Sequence, residues 1–106
     1  MAPELGQGRG ASAPLIVTFT DEALDDLTAI RAYLQALSPR AAERLGRQLV
    51  AVADTLGDLP YRGRKGLVEG TRENLSVRPY VIVYRITPDT VDVLRIYHEA
   101  QNRTPP

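Results

Sequence analysis

Large apolar residues recur every three or four positions through the first half of the chain, a spacing that is typical of amphipathic helices. Thr20 can cap the first helix, and Asp21 and Glu22 place negative charge at the positive end of its dipole. The apolar stripe of this helix consists of Leu24, Leu27, Ile30, Leu34 and Leu37. The sequence therefore predicts a helix that begins after Thr20 and has one apolar face.

A second helix is predicted to follow with almost no loop. Ser38 can end the first helix and cap the second, and Pro39 suits the first helical position because its missing N–H needs no partner there. Gly57 is predicted to end the second helix. Its apolar stripe consists of Ala42, Leu45, Leu49, Val52, Ala53 and Leu56. The two helices should form an antiparallel hairpin whose apolar faces cover a sheet.

Strand-like patterns flank this hairpin. Residues 15–19 are β-branched and aromatic and predict a short first strand. After the hairpin, residues 67–69 and 73–77 predict weak strands, and residues 80–86 and 91–98 predict strong ones. The order of strand, two helices and three or four antiparallel strands predicts an α+β fold with the helices packed on one face of the sheet.

The two strong strands also predict a register. Pro88 and Asp89 can form a tight turn that pairs Thr87 with Thr90. The cross-strand pairs are then Arg85–Asp92, Val83–Leu94, Val81–Ile96, Ile82–Arg95 and Tyr80–Tyr97. Opposite charges and apolar side chains meet in this arrangement, which favours it. We expect one domain over residues 15–98, between a flexible extension at residues 1–14 and a tail at residues 99–106.

The composition excludes several classes of site. The chain has 106 residues, no cysteine and one histidine, so disulfides, thiolate metal sites and His clusters are excluded, and we expect no metal and no cofactor. Its longest apolar runs are far shorter than the roughly 18 residues that span a bilayer. The N-terminus lacks the apolar segment of a secretory signal. We therefore expect a cytoplasmic protein that does not contact membranes.

Positive charge is concentrated in one stretch, although the formal net charge of the chain is zero. Between positions 61 and 85, six cationic residues face only two acidic ones, Glu69 and Glu73. The cationic residues are Arg62, Arg64, Lys65, Arg72, Arg78 and Arg85. This local excess favours an anionic partner, either a nucleic acid or an acidic protein segment.

Several motifs, in their order and spacing, resemble those of the RelE/ParE superfamily of toxins. They are Asp25-Asp26-Leu27, Ser38-Pro39-Arg40-Ala41-Ala42, Leu59-Pro60 with Gly63-Arg64, Gly70-Thr71-Arg72-Glu73-Asn74-Leu75, Tyr80-Val81-Ile82-Val83-Tyr84-Arg85-Ile86 and Leu94-Arg95-Ile96-Tyr97-His98. The resemblance implies the toxin half of a bacterial type II toxin–antitoxin pair, in a hetero-oligomeric complex with a cognate antitoxin that neutralises it.

The resemblance also implies one of two activities. RelE-like members cleave mRNA in the ribosomal decoding site with lysines and arginines on the sheet, whereas ParE-like members poison DNA gyrase. The family tyrosine that matches Tyr80 is characteristically followed by a basic residue, but this chain has Val81. Asn74 and Ser76 stand in a strand that usually carries lysines. These departures favour a ParE-like, plasmid-stabilisation type of toxin that binds gyrase and is not an enzyme. The match to the ParE-like branch has a departure of its own, since Gln101 stands where an arginine is common.

Three sets of candidate site residues follow. The target- or phosphate-binding set consists of Arg62, Arg64, Lys65, Arg72 and Arg78. If the chain is a nuclease, cations must hold the phosphate and a titratable group must move the proton, and the catalytic set is Arg72, Arg85, Tyr97 and His98. An amphipathic antitoxin segment would lie in the helix-hairpin groove or against a sheet edge. The antitoxin-binding set consists of Leu24, Leu27, Tyr33 and Leu49.

Two other functions stay open at this point. One is a ribosome-dependent mRNA endonuclease, whose partners would be the ribosome and mRNA. The other is an inactive binding module that acts only with its antitoxin in transcriptional autoregulation. The candidate residues also have purely structural interpretations: His98 can bond a strand end, Arg85 can pair with Asp92, and the strand tyrosines can pack in the core.

Overall fold

The computed structural model describes residues 14–100 and shows a helical hairpin packed on one face of a five-stranded sheet. The elements are β1 (Ile16–Phe19), α1 (Asp21–Leu37), α2 (Pro39–Asp58), a 3₁₀ turn (Pro60–Arg62), β2 (Arg64–Lys65), β3 (Arg72–Asn74), β4 (Tyr80–Ile86) and β5 (Thr90–His98). The predicted α+β fold is confirmed. Residues 1–13 of the predicted extension and residues 101–106 of the predicted tail, with Gln101, lie outside the described residues.

The predicted helix caps are confirmed. The Thr20 hydroxyl accepts a hydrogen bond from the Ala23 amide at 3.1 Å. Ser38 serves both helices: its backbone N–H donates to Leu34 O at 2.6 Å, and its hydroxyl accepts from the Ala41 amide at 3.3 Å. One residue therefore ends α1 and begins α2, which keeps the hairpin connection short.

Gly57 does not end α2, which continues to Asp58. Its predicted role is wrong, because Gly57 lies inside the helix where β1 approaches closely. The Leu15 amide donates to Gly57 O at 3.0 Å, and a Cβ on Gly57 would lie 2.6 Å from Leu15 O. This residue is glycine because the chain entering β1 contacts the helix backbone directly.

The two helices bury different proportions of their predicted stripes. In α2 the stripe is buried except for Ala53, which is partly exposed. In α1, Ala23 is fully buried and Leu27, Ile30 and Leu34 are partly buried. Leu24 and Leu37 were predicted on the apolar face and are instead exposed. The α1 face that meets α2 and the sheet is narrower than the sequence stripe, so residues at its margin remain on the surface.

The sheet has the order β1-β5-β4-β3-β2, with β1 parallel to β5 and the other strands antiparallel. The strong strands are confirmed, but the weak ones were misplaced. Residues 67–69 lie in a turn, where Thr71 donates from both its amide and its hydroxyl to Val68 O. The strand before this turn is β2, and β3 ends at Asn74, so residues 75–77 are not strand.

The predicted register holds only near the β4–β5 turn. Arg85 pairs with Asp92 as predicted, but Leu94 is an extra residue that forms a bulge, so Val83 pairs with Arg95. The predicted pairs beyond this point are wrong by one residue: Val81 faces Tyr97, Ile82 faces Ile96 and Tyr80 faces His98. Because of the bulge, Val93 and Ile96 both point to the helices, whereas strict alternation would turn Ile96 away.

Helix α1 covers the part of β5 that β1 leaves open. The β1–β5 pairing ends at Phe19 and Val93, so residues 94–98 lack a neighbouring strand on that side. There the Thr20 hydroxyl donates to Leu94 O at 3.0 Å, and the Asp26 carboxylate accepts from the Ile96 amide at 2.9 Å. Side chains of α1 thus replace the missing strand as hydrogen-bond partners. Neither helix of the described residues has the length and apolar character needed to cross a membrane.

Candidate functional site

The segment at residues 60–64, named here the 60–64 turn, is held from below by a buried tyrosine. The Tyr84 hydroxyl donates to Pro60 O at 2.6 Å and accepts from the Gly63 amide at 3.1 Å. Burial raises the pKa of Tyr84, while the Gly63 amide and the Arg72 charge lower it. A Cβ on Gly63 would clash with this hydroxyl and lie 2.7 Å from Glu73 O. The turn therefore follows the shape of the sheet beneath it.

Arg72 holds the same turn from the side. Its Nη1 donates to Gly63 O at 2.7 Å and to Tyr61 O at 3.2 Å. Its guanidinium also lies 5.1 Å from the centre of the Tyr61 ring, in the geometry of a cation–π contact. Arg72 was predicted to bind a target or phosphate, or to act in catalysis, but here its guanidinium is occupied by backbone carbonyls of the turn.

Arg64 forms an ion pair with a buried carboxylate. Its Nε and Nη2 each lie 2.8 Å from Glu73 Oε1, and Glu73 is only 4% exposed. A buried carboxylate needs such a partner, because an unpaired charge in that position would be strongly destabilising. Arg64 is still half-exposed, but much of its charge is balanced by Glu73.

The exposed residues of the segment 59–68 are of mixed character, and we name them the 59–68 surface. Tyr61, Lys65 and Val68 line one hollow, and Arg62 lines a second one with Arg64. Its cations are Arg62 and Lys65, neither of which pairs with a carboxylate of residues 14–100. Its exposed apolar and aromatic members are Leu59, Tyr61, Leu67 and Val68. Tyr61 is 69% exposed, although Arg72 fixes its backbone. The surface therefore combines cations with apolar side chains on a fixed turn.

A groove of about 620 Å³ lies at the other end of the molecule, between the helical hairpin and the ends of β4 and β5. Ile30, Tyr33 and Leu34 of α1 line one side, and Arg44 of α2 lines another. Arg78, from the target-binding set, lies at the groove and pairs with Glu99 at 2.8 Å. The groove is thus lined by apolar side chains and bordered by arginines.

His98 lies beside this groove rather than beside the 60–64 turn. Its ring makes an edge-to-face contact with Tyr80, with centroids 5.6 Å apart, and its Nδ1 accepts from the Ala100 amide at 3.0 Å. These contacts match the structural interpretation of His98 as a residue that bonds a strand end. Burial raises the pKa of Tyr80.

The four residues predicted for a nuclease do not converge in this conformation. Arg72 lies opposite Tyr84, and His98 lies opposite Tyr80, on the helix-facing side of the sheet. Tyr84 and Tyr80 are four residues apart along β4, so Arg72 and His98 are separated by about 13 Å in the strand direction. The other two lie on the face that points away from the helices, where each has a cross-strand neighbour: Arg85 opposite Asp92 and Tyr97 opposite Val81.

The residues predicted to bind the antitoxin differ in exposure. Leu24 and Tyr33 are exposed, at 46% and 65%, and Leu27 is partly buried. Leu49 is 7% exposed and packs in the core, so it offers a partner almost no surface. Only Tyr33 of these four lines the groove.

Sequence reasoning missed two structural contacts. Asp26 appeared in the sequence analysis only as part of the Asp25-Asp26-Leu27 motif. In the structure its carboxylate binds the Arg95 guanidinium at 2.7 and 3.0 Å, and Arg95 also lies over the Tyr97 ring. The second missed contact is that of the Tyr84 hydroxyl with Pro60 O and the Gly63 amide. No local pattern identifies either, because the partners are separated by 69 and 24 residues.

Comparison with known proteins identifies the family. The sequence profile described as "ParE toxin of type II toxin-antitoxin system, parDE" matches residues 17–103, which is most of the chain. The chain belongs to this family of toxins. The predicted membership of the RelE/ParE superfamily is therefore confirmed.

Individual relatives agree with this assignment. The chain is 45% identical over 86 residues to Toxin RelE2 of Caulobacter vibrioides, an alignment that covers 80% of this chain and 96% of the relative. It is 38% identical over 82 residues to Toxin RelE1 of the same organism, with 74% and 86% covered.

Solved structures share the fold. A chain from the chromosomal ParDE toxin–antitoxin system of P. aeruginosa matches with a TM-score of 0.71 and 25% identity over 79% of this chain and 95% of that one. A chain of the toxin–antitoxin complex RelBE2 from Mycobacterium tuberculosis matches with a TM-score of 0.56 and 31% identity, covering 84% and 95%.

Proposed function

We propose that this toxin inhibits growth by binding DNA gyrase through the 59–68 surface, and that a cognate antitoxin neutralises it. The observation that carries the proposal is this surface, where Tyr61 and Arg62 stand on a turn fixed from below and Lys65 lines the same hollow as Tyr61. Arginine and aromatic side chains are enriched at the energetic centres of protein interfaces. A gyrase region that presents acidic side chains would complement the two cations.

The arrangement of the other cations favours binding over catalysis. Arg64, Arg78 and Arg95 each pair with a carboxylate, and Arg72 is held by carbonyls. A nuclease must instead gather several cations around one phosphate to stabilise the transition state. Since the cations are engaged in different parts of the fold, a binding role requires no rearrangement.

The groove is the proposed antitoxin site. The solved structures that share this fold include a ParDE system and a RelBE2 complex, and a complex of the same kind is the natural state to propose for this chain. The groove offers Ile30, Tyr33 and Leu34 to an amphipathic segment, with Arg44 and Arg78 at its border for acidic side chains. Leu49 is left out of the proposed contact because it is buried.

A gyrase supercoiling assay tests the proposal. The purified toxin should inhibit supercoiling at micromolar concentration or below, and the double variant Arg62→Ala/Lys65→Ala should raise the half-inhibitory concentration about 10-fold or more, as loss of central interface contacts does. The matched control is Arg40→Ala/Arg47→Ala, which removes the same charge from exposed positions of α2. Absence of inhibition by folded protein at micromolar concentration contradicts gyrase as the target.

One observation favours a second candidate, a ribosome-dependent mRNA endonuclease: the relative at 45% identity is named Toxin RelE2. Primer extension on ribosome-bound message would detect it. Cuts in codon register that disappear in His98→Ala would support the endonuclease over the gyrase inhibitor. Unimpaired growth of a host that expresses the chain without an antitoxin would favour an inactive binding module over both.

A further inference from the structure

The 60–64 turn is fixed by two side chains, Tyr84 from below and Arg72 from the side. Tyr84 has no exposed surface, and its hydroxyl bridges Pro60 O and the Gly63 amide. Arg72 directs Nη1 at Gly63 O and Tyr61 O. Together these groups make four hydrogen bonds to the turn. They determine the path of the backbone that carries Tyr61 and Arg62.

This clamp uses a charged group and a buried hydroxyl to hold only a few residues of an exposed turn. Gly63 completes it, since any side chain there would meet the Tyr84 hydroxyl. A turn needed only as a connection could be held by its own backbone hydrogen bonds. Rigid presentation of an aromatic and a cationic side chain lowers the entropy that binding must overcome.

The chemistry of the surface indicates the class of partner. Proteins that grip nucleic acid neutralise several phosphates with many free cations, and their affinity rests on that charge. Within the segment 59–68, Arg62 and Lys65 have no carboxylate partner among residues 14–100, and they alternate with Leu59, Tyr61 and Leu67. A surface with few cations and several apolar side chains suits a protein partner that presents acidic residues around an apolar centre.

We infer that Arg72 and Tyr84 are positioning residues, which hold the 60–64 turn in the shape that docks Tyr61 and Arg62 on an acidic, partly apolar protein surface. The inference rests on the proposed function for the identity of that protein, gyrase, but the clamp itself does not. Arg72 then acts through the turn and makes no contact with the target, in contrast to its role in the sequence prediction.

Two variants separate positioning from direct contact. Tyr84→Phe removes only the internal hydroxyl, and Arg72→Lys keeps the charge but loses the planar group that reaches two carbonyls. Each should raise the half-inhibitory concentration in the supercoiling assay about 3- to 10-fold, in line with the loss of one or two hydrogen bonds. The matched controls are Tyr80→Phe, on the same face of β4, and Arg47→Lys, on the exposed side of α2, and both should behave as wild type.

Two further measurements exclude a general loss of stability. Amide hydrogen exchange at Gly63 should accelerate about 10-fold or more in Tyr84→Phe, because its hydrogen-bond acceptor is gone, while core amides of β4 keep their protection. The effect of Tyr84→Phe on inhibition should also largely disappear in an Arg62→Ala background, since residues that act through one another are not additive. A purely structural role would leave the two effects additive.

The outcomes are distinct. If Arg72→Lys inhibits gyrase as strongly as wild type while Arg72→Ala has lost inhibition, Arg72 contacts the target directly through its charge, and the inference is overturned. Faster Gly63 exchange without any change in inhibition would overturn it as well, and so would binding of a duplex DNA or single-stranded RNA 20-mer as tight as that of gyrase. If wild-type protein leaves gyrase unaffected, the proposed function fails, and the same variants are compared by growth arrest in an expressing host. If wild-type protein does not arrest growth of that host, the proposed function and the inference are both overturned.

Discussion

The Asp26 carboxylate should contribute more to stability than any other acidic group at the start of α1. It accepts three hydrogen bonds, two from the Arg95 guanidinium at 2.7 and 3.0 Å and one from the Ile96 amide at 2.9 Å. The Ile96 amide belongs to the part of β5 that has no strand on its β1 side, and the Ile96 side chain is buried. Asp26→Ala therefore removes the partner of a backbone donor as well as an ion pair.

The magnitude follows from these two losses. A buried amide left without an acceptor costs about 1–3 kcal/mol. The ion pair adds roughly 0.5 kcal/mol, since half-exposed Arg95 is screened by solvent and such pairs contribute little. We expect Asp26→Ala to lower the free energy of unfolding by about 2.5 kcal/mol, and hence Tm by about 10–20 °C for a domain of this size. Asp26→Asn should cost about 1 kcal/mol, because its amide oxygen can still accept from Ile96.

Thermal and urea unfolding followed by circular dichroism would measure this series. The matched control is Asp25→Ala, which removes an exposed carboxylate from the same helical turn and makes the same change in helix propensity and dipole interaction. The order of stability should be wild type, Asp25→Ala, Asp26→Asn and then Asp26→Ala. Equal Tm values for Asp25→Ala and Asp26→Ala would refute the reasoning, since Asp26 would then act only through the helix dipole.

Three further predictions concern stability. Gly57→Ala should lower the free energy of unfolding by about 1–3 kcal/mol in urea, because its Cβ would press on Leu15 O, as overpacked sites do. The control Gly46→Ala, with open space around it, should be neutral or stabilising. Equal losses of stability in the two variants would contradict the close approach. Ser38→Ala should lower Tm by several degrees, since loss of a helix cap costs about 1 kcal/mol; an unchanged Tm would mean that the Ala41 bond contributes nothing. Hydrogen bonds from Thr18 and Thr90 lower the pKa of Asp92 below its ordinary value of 3.8. The ionised carboxylate therefore stabilises the fold fully above that pH, and this stabilisation is lost as pH falls through the lower pKa of the folded state. The stability difference between wild type and Asp92→Asn should therefore shrink as pH falls below 3.8, and a difference independent of pH would argue against it.

The functional prediction depends on the tertiary contacts of the basic segment. The sequence placed Arg62, Arg64, Lys65, Arg72 and Arg78 together in one target-binding set. In the structure, Arg64 binds Glu73 and Arg72 binds backbone carbonyls, whereas Arg62 and Lys65 are exposed and form no ion pair with a carboxylate of residues 14–100. Arg85 is also exposed, but it stands opposite Asp92 in the sheet. A charge count along a sequence cannot separate these roles, because it does not contain the partners.

The sequence by itself determined what depends on neighbours along the chain. The caps at Thr20 and Ser38, the two helices, the strong strands and the Thr87–Thr90 turn follow from local propensities and spacing, which act within a few residues. Only the tertiary structure decided the bulge at Leu94, the parallel pairing of β1 with β5 and the clamp on the 60–64 turn. Each of these depends on how the packed elements meet, which no pattern of neighbouring residues records. In the clamp, the polar groups of the turn take as partners the side chains that the folded sheet brings beneath them.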